Sequence, residues 1–253
     1  MKLLRDTWLL FSWIMGQTLR NPVWPLIGLF QPLCYLFLFA PLLQSVSGVP
    51  GFPAGGALTV FTPGVLVMMA LFGSAFTGFG LVAELRSGFI ERLRVTPLSR
   101  LALSLGYLLR DCVVLLLQSI LLIAIALPLG VHINLAGLVL TLGLLILLAL
   151  CLSSCSYALA LLLKDENALS SILNTLSLPI FLLSGITLPL TLAPPILRLL
   201  ARFNPFAYAV NAARALFTGN LASGDVIQGY LLIGLLALVA IFWVTRTFQR
   251  ATV

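Results

Sequence analysis

CVVLLLQSILLIAIALPLGVHINLAGLVLTLGLLILLALCLSSCSYALALLL, residues 112–163, runs for 52 residues between Asp111 and Lys164 without a charge. A helix needs about 20 residues to cross about 30 Å of hydrocarbon. The run is therefore long enough for two membrane spans, and PLGVHIN (128–134) supplies the Pro and Gly that turn the chain between them. The same arithmetic extends outward. Uncharged gaps of 63 residues (21–83), 31 residues (167–197) and 20 residues (226–245) separate the remaining charges. SGVPGFPAGG (47–56) divides the first gap. The pattern predicts an all-α integral membrane fold with six transmembrane helices, near 23–45, 58–83, 108–129, 135–163, 168–189 and 226–245, in one transmembrane domain over 1–253.

Composition agrees. The 253 residues are 61% hydrophobic and 8% charged, with a mean hydropathy of +1.15, whereas a soluble domain carries roughly 25% charged residues. The net charge of +7 is read as the excess of Lys and Arg on the cytoplasmic side of the spans, not as a nucleic-acid surface. With the amino terminus inside, Lys2, Arg5, Arg20, Arg86, Arg92, Arg94, Arg100, Arg110, Lys164, Arg246 and Arg250 are cytoplasmic. Only Arg198, Arg202 and Arg214 fall outside. Both termini are then cytoplasmic. Cys34, Cys112, Cys151 and Cys155 sit within apolar runs and read as small buried hydrophobes. His132 stands alone, so no metal site is expected.

Residues 1–22 place Trp8, Phe11, Met15 and Leu19 at helical spacing, with Arg20 interrupting the apolar run and no small-residue cleavage site. The expectation is a helix lying in the inner interface and not a signal peptide.

The charge missing from the spans collects in ELRSGFIERLRVTPLSR (84–100), which holds six of the 21 charged residues. Leu85, Phe89 and Leu93 fall at i, i+4 and i+8, and Glu91 and Arg94 form an i, i+3 pair. A short amphipathic helix is expected over 84–96. Thr96 and Pro97 are suited to stop it and to cap the next one. A solvated loop would explain the charge but not the apolar stripe, which needs something to bury against.

A second broken segment, LTLAPPILRLLARFNPFAYAVNAARALFTGN (190–220), lies on the outer side. Pro195 opens one short helix carrying Arg198 and Arg202. Asn204-Pro205 ends it and begins another, in which Phe206, Val210 and Phe217 face one way beside Tyr208, Asn211 and Arg214. Both are too charged and too broken to span, and amphipathic enough to dip into the outer leaflet as re-entrant helices between spans five and six.

Two stripes mark faces within the spans. In span five, Ser170, Asn174, Ser177, Phe181 and Ser184 recur at spacings of four, three, four and three. In span two, Thr62, Met69 and Phe76 repeat every seven, with Leu66 on the same side. Polar side chains in a bilayer face protein or a cavity, so the stripes read as cavity lining or as helix packing. A cavity that they line is uncharged. It offers adaptable apolar area with a few hydrogen bonds, which suits hydrophobic or amphipathic compounds and suits small ions poorly.

These features together resemble the permease subunits of type-2 ABC exporters: the interfacial first helix, six spans, ERLRVTPLSR in the first inner loop and LARFNPFAYAVNAARAL before the last span. LRNPVWPLIGLFQPLCYLFLF entering span one resembles the daunorubicin-resistance branch. The resemblance implies that the inner loop is a coupling helix docked on an ATPase subunit. Glu84, Arg86, Glu91, Arg92 and Arg94 would make polar contacts there, and Phe89 and Leu93 would anchor it. It also implies a dimer of permeases with the pathway on the two-fold axis between spans two and five, in a bacterial inner membrane. No G-x-x-x-x-G-K-[ST] occurs, and the only lysines are Lys2 and Lys164. ATP and Mg are therefore expected on a cytoplasmic ATPase dimer encoded as another chain, with no cofactor in this one. The expected activity is export of a drug-like or antibiotic compound, the alternative being a lipid, glycolipid or polysaccharide. An intramembrane enzyme is disfavoured, because no predicted span carries an acid or base at membrane depth. A scaffold without transport would show no dependence on an ATPase.

Overall fold

The computed structural model describes residues 2–21, 23–46, 57–88, 99–131, 133–187 and 190–251. Among these residues every regular element is helical. In chain order they are α1 (Lys2–Arg20), α2 (Val23–Val46), α3 (Ala57–Ala75), α4 (Gly78–Arg86), α5 (Arg100–Ala126), α6 (Leu135–Leu163), α7 (Glu166–Leu183), α8 (Pro195–Ala201), α9 (Pro205–Phe217) and α10 (Gly224–Ala251). Short 3-10 turns follow α5 at Leu127–Leu129 and precede α8 at Leu190–Leu192.

Local chemistry sets the boundaries. Ser99 caps α5 by accepting from the Ala102 N–H at 3.1 Å, and Asn134 caps α6 by accepting from the Gly137 N–H. Asp165 caps α7 by accepting from the Ala168 N–H at 2.8 Å, with Glu166 in the first turn, where the helix dipole favours a negative charge. α6 ends at Lys164, whose φ of 52° turns the chain through the left-handed region directly into the α7 cap.

Four stretches are long and apolar enough to cross a membrane: Leu58–Arg86, Leu101–Leu129, Leu135–Leu163 and Gly224–Arg250. The α1 helix and Pro25–Phe39 pass together as a fifth, bent by 66°. The protein is thus a multi-pass membrane protein. The first and fifth of the six expected spans do not stand as single membrane-crossing helices. The first is half of a bent pair with α1. The fifth, expected at 168–189, is α7, which stops at Leu183 and is not among those four. Its 18 residues include Glu166, Asn167 and Asn174 and an internal Pro179, and these lower its apolar content.

The amphipathic first helix exists, and it packs on α5 through a face that the sequence reading did not single out. Asp6, Leu10 and Ile14 are buried, and Leu10 lies against Gly106 of α5. Trp8 and Leu19, from the expected apolar stripe, are 62% and 67% exposed. The helix therefore packs on α5 with one face and leaves a second apolar face outward.

The buried side chains form two large clusters, one above the other. The first joins α2, α3, the second half of α5, the first half of α6 and α9, around Leu36, Phe61, Leu66, Met68, Leu122 and Leu144. The second joins α1, α4, the first half of α5, the second half of α6, the start of α7 and the end of α10, around Leu81, Tyr107, Leu108, Tyr157 and Phe248. In α3–α4 the change of cluster falls between Leu71 and Leu81, in α5 between Leu108 and Cys112, and in α6 between Ala149 and Tyr157. The end holding the second cluster also carries Arg86, Arg110, Lys164 and Arg246 and is called the basic end.

Candidate functional site

The second span is not one helix. α3 ends at Ala75, the chain turns through Phe76 and Thr77, and α4 starts at Gly78. A break strands backbone groups that an unbroken helix would pair. Ser156 of α6 meets them. Its hydroxyl donates to the Ala75 carbonyl at 2.5 Å and accepts from the Gly78 N–H at 2.9 Å. The Thr77 hydroxyl donates to the Ser74 carbonyl at 2.9 Å. The approach is so close that a Cβ on Gly78 would lie 2.6 Å from Ser156 Oγ and 2.7 Å from its carbonyl oxygen. Only glycine fits there.

Beyond the break, α4 carries Glu84 and Arg86. The resemblance assigned both to contacts with an ATPase. The structure turns Glu84 inward instead, where it accepts a hydrogen bond from the Tyr107 hydroxyl of α5. Next to this pair, Arg110 donates through Nη2 to the Tyr157 hydroxyl at 2.9 Å, and Tyr157 donates to Asp111 Oδ2 at 2.5 Å. Arg110 Nε is 2.8 Å from Asp111 Oδ1. Asp111 is buried, so its charge is matched by Arg110 and the hydroxyls around it. Three helices are thereby joined by one polar network at the basic end.

Arg86 is the outward member. It reaches Asp165 Oδ2 at 3.3 Å and Glu166 Oε1 at 3.2 Å, the two acids that begin α7. The expected helix over 84–96 does not begin at Glu84. Residues 84–86 complete α4, and the chain turns through Ser87 and Gly88, whose φ is 69°. Phe89, Glu91, Arg92, Leu93, Arg94, Thr96 and Pro97 lie outside the described residues.

The two stripes have different fates. Thr62, Leu66 and Met69 are buried within the subunit, at 0–2% exposure, on the side of α3 that meets its core. Phe76 is half-buried and belongs to an aromatic row with Phe72 and Phe79, at centroid separations of 6.4 and 5.7 Å. Phe181 of α7 joins the row through Phe72 at 5.6 Å. On α7, Ser177 and Ser184 are buried, Ser170 is half-buried and Asn174 is exposed. Asn174 donates to the Ser170 carbonyl at 2.9 Å and approaches its hydroxyl at 3.1 Å. Leu178 and Leu182 are also exposed. Around Phe72, Phe76, Phe79 and Phe181 the α3–α4–α7 surface thus combines aromatic rings, the exposed Leu178 and Leu182 and the Asn174 amide.

At the other end, Asn204 and Pro205 open α9 as the sequence suggested. Asn204 Oδ1 accepts from the Phe206 N–H at 3.0 Å, while its Nδ2 donates to the Ile180 carbonyl at 2.7 Å, tying α9 to the end of α7. Arg198 donates to the Ala193 carbonyl and Tyr208 to the Arg202 carbonyl. Arg202 is exposed. Arg214 departs from its expected place on a polar face. It is buried and donates to the carbonyls of Val60 (3.0 Å), Gly185 (2.8 Å) and Ile186 (3.2 Å). Burial lowers its pKa to about 10, which leaves it charged at neutral pH. Gly64 permits this meeting, since a Cβ there would stand 2.6 Å from the Ile186 carbonyl.

Sequence reasoning used Arg110 and Asp111 only to mark the edge of a span and did not single out Tyr107, Tyr157 or Ser156. An adjacent Arg–Asp pair entering an apolar run is itself a signal of a paired intramembrane site. The pairing across α4, α5 and α6 has no local signature.

The chain is similar to known proteins along most of its length. Residues 5–218 match the family model described as "ABC-2 type transporter". Proteins named "Putative transport permease ycf38" are 28% identical over 217 residues in Cyanophora paradoxa, covering 85% of this chain and 75% of the relative. The corresponding protein of Pyropia yezoensis is 26% identical over 257 residues, covering 93% and 85%. With a family match over residues 5–218 and a multi-pass helical fold beneath it, this chain belongs to the ABC-2 type transporter family of membrane permeases.

Proposed function

We propose that the chain is the membrane subunit of an ATP-driven exporter that moves hydrophobic or amphipathic compounds, of drug or antibiotic type, out of the cell by alternating access. In this reading two copies form a two-fold dimer of six-span subunits resembling the daunorubicin-resistance branch, in a bacterial inner membrane with both termini cytoplasmic. α7 completes the six spans within the assembled dimer. ATP and Mg act on a pair of cytoplasmic ATPase subunits. The loop from Phe89 to Arg94 docks on them.

The observation that carries the reading is the position of Arg86. It ends α4, leads into the charged loop and is paired with Asp165 and Glu166 at the start of α7. A displacement of the loop is therefore delivered to the two elements that bear Phe76, Phe79, Asn174 and Phe181. These side chains form the proposed compound-facing surface, and Phe72 belongs with them. ATP drives the cycle only to the extent that it binds the closed ATPase pair more tightly than the open one.

The test is ATP hydrolysis by the reconstituted complex against a panel of apolar and amphipathic compounds. Phe181→Ala and Asn174→Ala should alter which compounds stimulate hydrolysis. Phe89→Ala and Glu91→Arg should separate hydrolysis from export while the permease stays folded. An unchanged stimulation profile in the first pair removes the compound surface, and unchanged ATPase association and export in the second remove the docking loop.

A further inference from the structure

A cavity of about 550 Å³ opens between the ends of α6 and α10 at the basic end. Lys164, Arg246 and Arg250 enter it from the two helices, and Val239, Phe242 and Trp243 line it on the α10 side. No carboxylate is among its lining residues. The Arg246 guanidinium lies 4.5 Å from the centre of the Phe242 ring, a cation–π placement that holds it beside the cavity.

Helix dipoles account for part of this charge. Lys164 and Arg250 stand at the carboxyl-terminal ends of α6 and α10, where cations are favoured. They do not account for three cations converging on one cavity that, among the described residues, no carboxylate lines. Arg86, by contrast, has two acids within 3.3 Å. The surroundings also specify depth. The cavity lies where the spans Leu135–Leu163 and Gly224–Arg250 end. Its apolar wall continues along α10 through Leu235 and Leu238, which are 61% and 68% exposed. Tryptophan beside cations at the end of a span is the chemistry of the bilayer interface.

We propose that this cavity binds the phosphate of an anionic phospholipid, with the acyl chains lying along the exposed face of α10. Basic pockets between spans recognise acidic headgroups in this way. A free phosphate ion offers the same charge but makes no contact with the apolar wall of Val239, Phe242 and Trp243, so the wall beside the cations favours the lipid. The inference requires only that the chain is embedded in a bilayer. It stands whether or not the exported compound is the one proposed above.

The experiment uses the full chain in neutral detergent, stripped of lipid and titrated with phosphatidylglycerol or phosphatidylcholine while bound lipid is followed by native mass spectrometry. Phosphatidylglycerol should be retained over phosphatidylcholine. Lys164→Gln, Arg246→Gln and Arg250→Gln should each weaken its retention about fivefold, and the triple variant about a hundredfold, from the electrostatic contribution of each cation near a membrane surface. Arg20→Gln, a cation outside the cavity, should leave it unchanged. All three cavity cations are exposed, so the single variants should fold. Weakening of wild-type binding by added salt is a second reading independent of any variant. Equal retention of both lipids, equal weakening by Arg20→Gln, or salt-insensitive binding would overturn the proposal. Displacement of phosphatidylglycerol by an equal concentration of inorganic phosphate would overturn the lipid assignment and make the cavity a soluble-anion site.

Discussion

Ser156 of α6 sits inside the break of the second span and completes it, its hydroxyl taking the Gly78 N–H at 2.9 Å and giving its own proton to Ala75. One side chain from another helix thus occupies the place of the missing turn. Ser156→Ala should leave both backbone groups unpaired and lower stability by about 1–3 kcal/mol, a fall in Tm of about 2–4 °C per kcal/mol for a chain of this size. Thermal unfolding in detergent measures it. An unchanged Tm would mean that water or another group takes over the role.

Gly78→Ala should be worse, because the added Cβ meets both the hydroxyl and the carbonyl of Ser156. The double variant Gly78→Ala/Ser156→Ala separates these contacts. The carbonyl remains 2.7 Å away, so removing the hydroxyl should not restore stability. Full rescue would show that the side chain alone was the obstacle.

Tyr157 serves two charged partners, and Tyr107 serves one that is only half-buried. Tyr157→Phe should therefore cost more than Tyr107→Phe, about 2 kcal/mol or above, since it deprives both Arg110 and buried Asp111 of a hydrogen bond. Equal Tm values for the two variants would dissolve the network as an energetic unit.

Arg214 bonds to three carbonyls from two other parts of the chain. Lysine supplies a charge but not the fork needed to reach α3 and the segment after α7 together. Arg214→Lys should lower Tm, and Arg214→Ala should lower it further. The order is the test: a lysine variant as stable as the parent would show that charge alone suffices.

The Arg86 pairs are half-exposed, so Arg86→Ala should change stability by no more than about 1 kcal/mol. Its consequence is expected in transport. ATP hydrolysed per molecule exported should rise, and Arg86→Glu combined with Asp165→Arg and Glu166→Arg should recover part of the loss. A ratio unaffected by Arg86→Ala would detach this contact from coupling.

The helical membrane class could be read directly from the charge-free runs, because a bilayer leaves few alternatives for 52 such residues. The caps at Asn204 and the break before Pro205 were equally legible, being local. Arg214 was misplaced because helical spacing tells which residues share a face but not what lies opposite. Thr62 and Met69 illustrate the same limit: a seven-residue repeat in a span marks one side of the helix, and here that side meets the subunit's own core. Ser156 gave no signal, since its partners are backbone atoms 78 and 81 positions earlier.

The two apolar clusters meet at the level of the break near Thr77, with Asp111 and Ser156 between them. The Phe72–Phe76–Phe79 row and the small cluster of Cys151, Ala237 and Ala240 carry hydrocarbon across that level, and α5 and α6 run through it as unbroken helices. Any give at that height is therefore concentrated in the α3–α4 span, where a single hydroxyl from a neighbouring helix stands in for the missing turn.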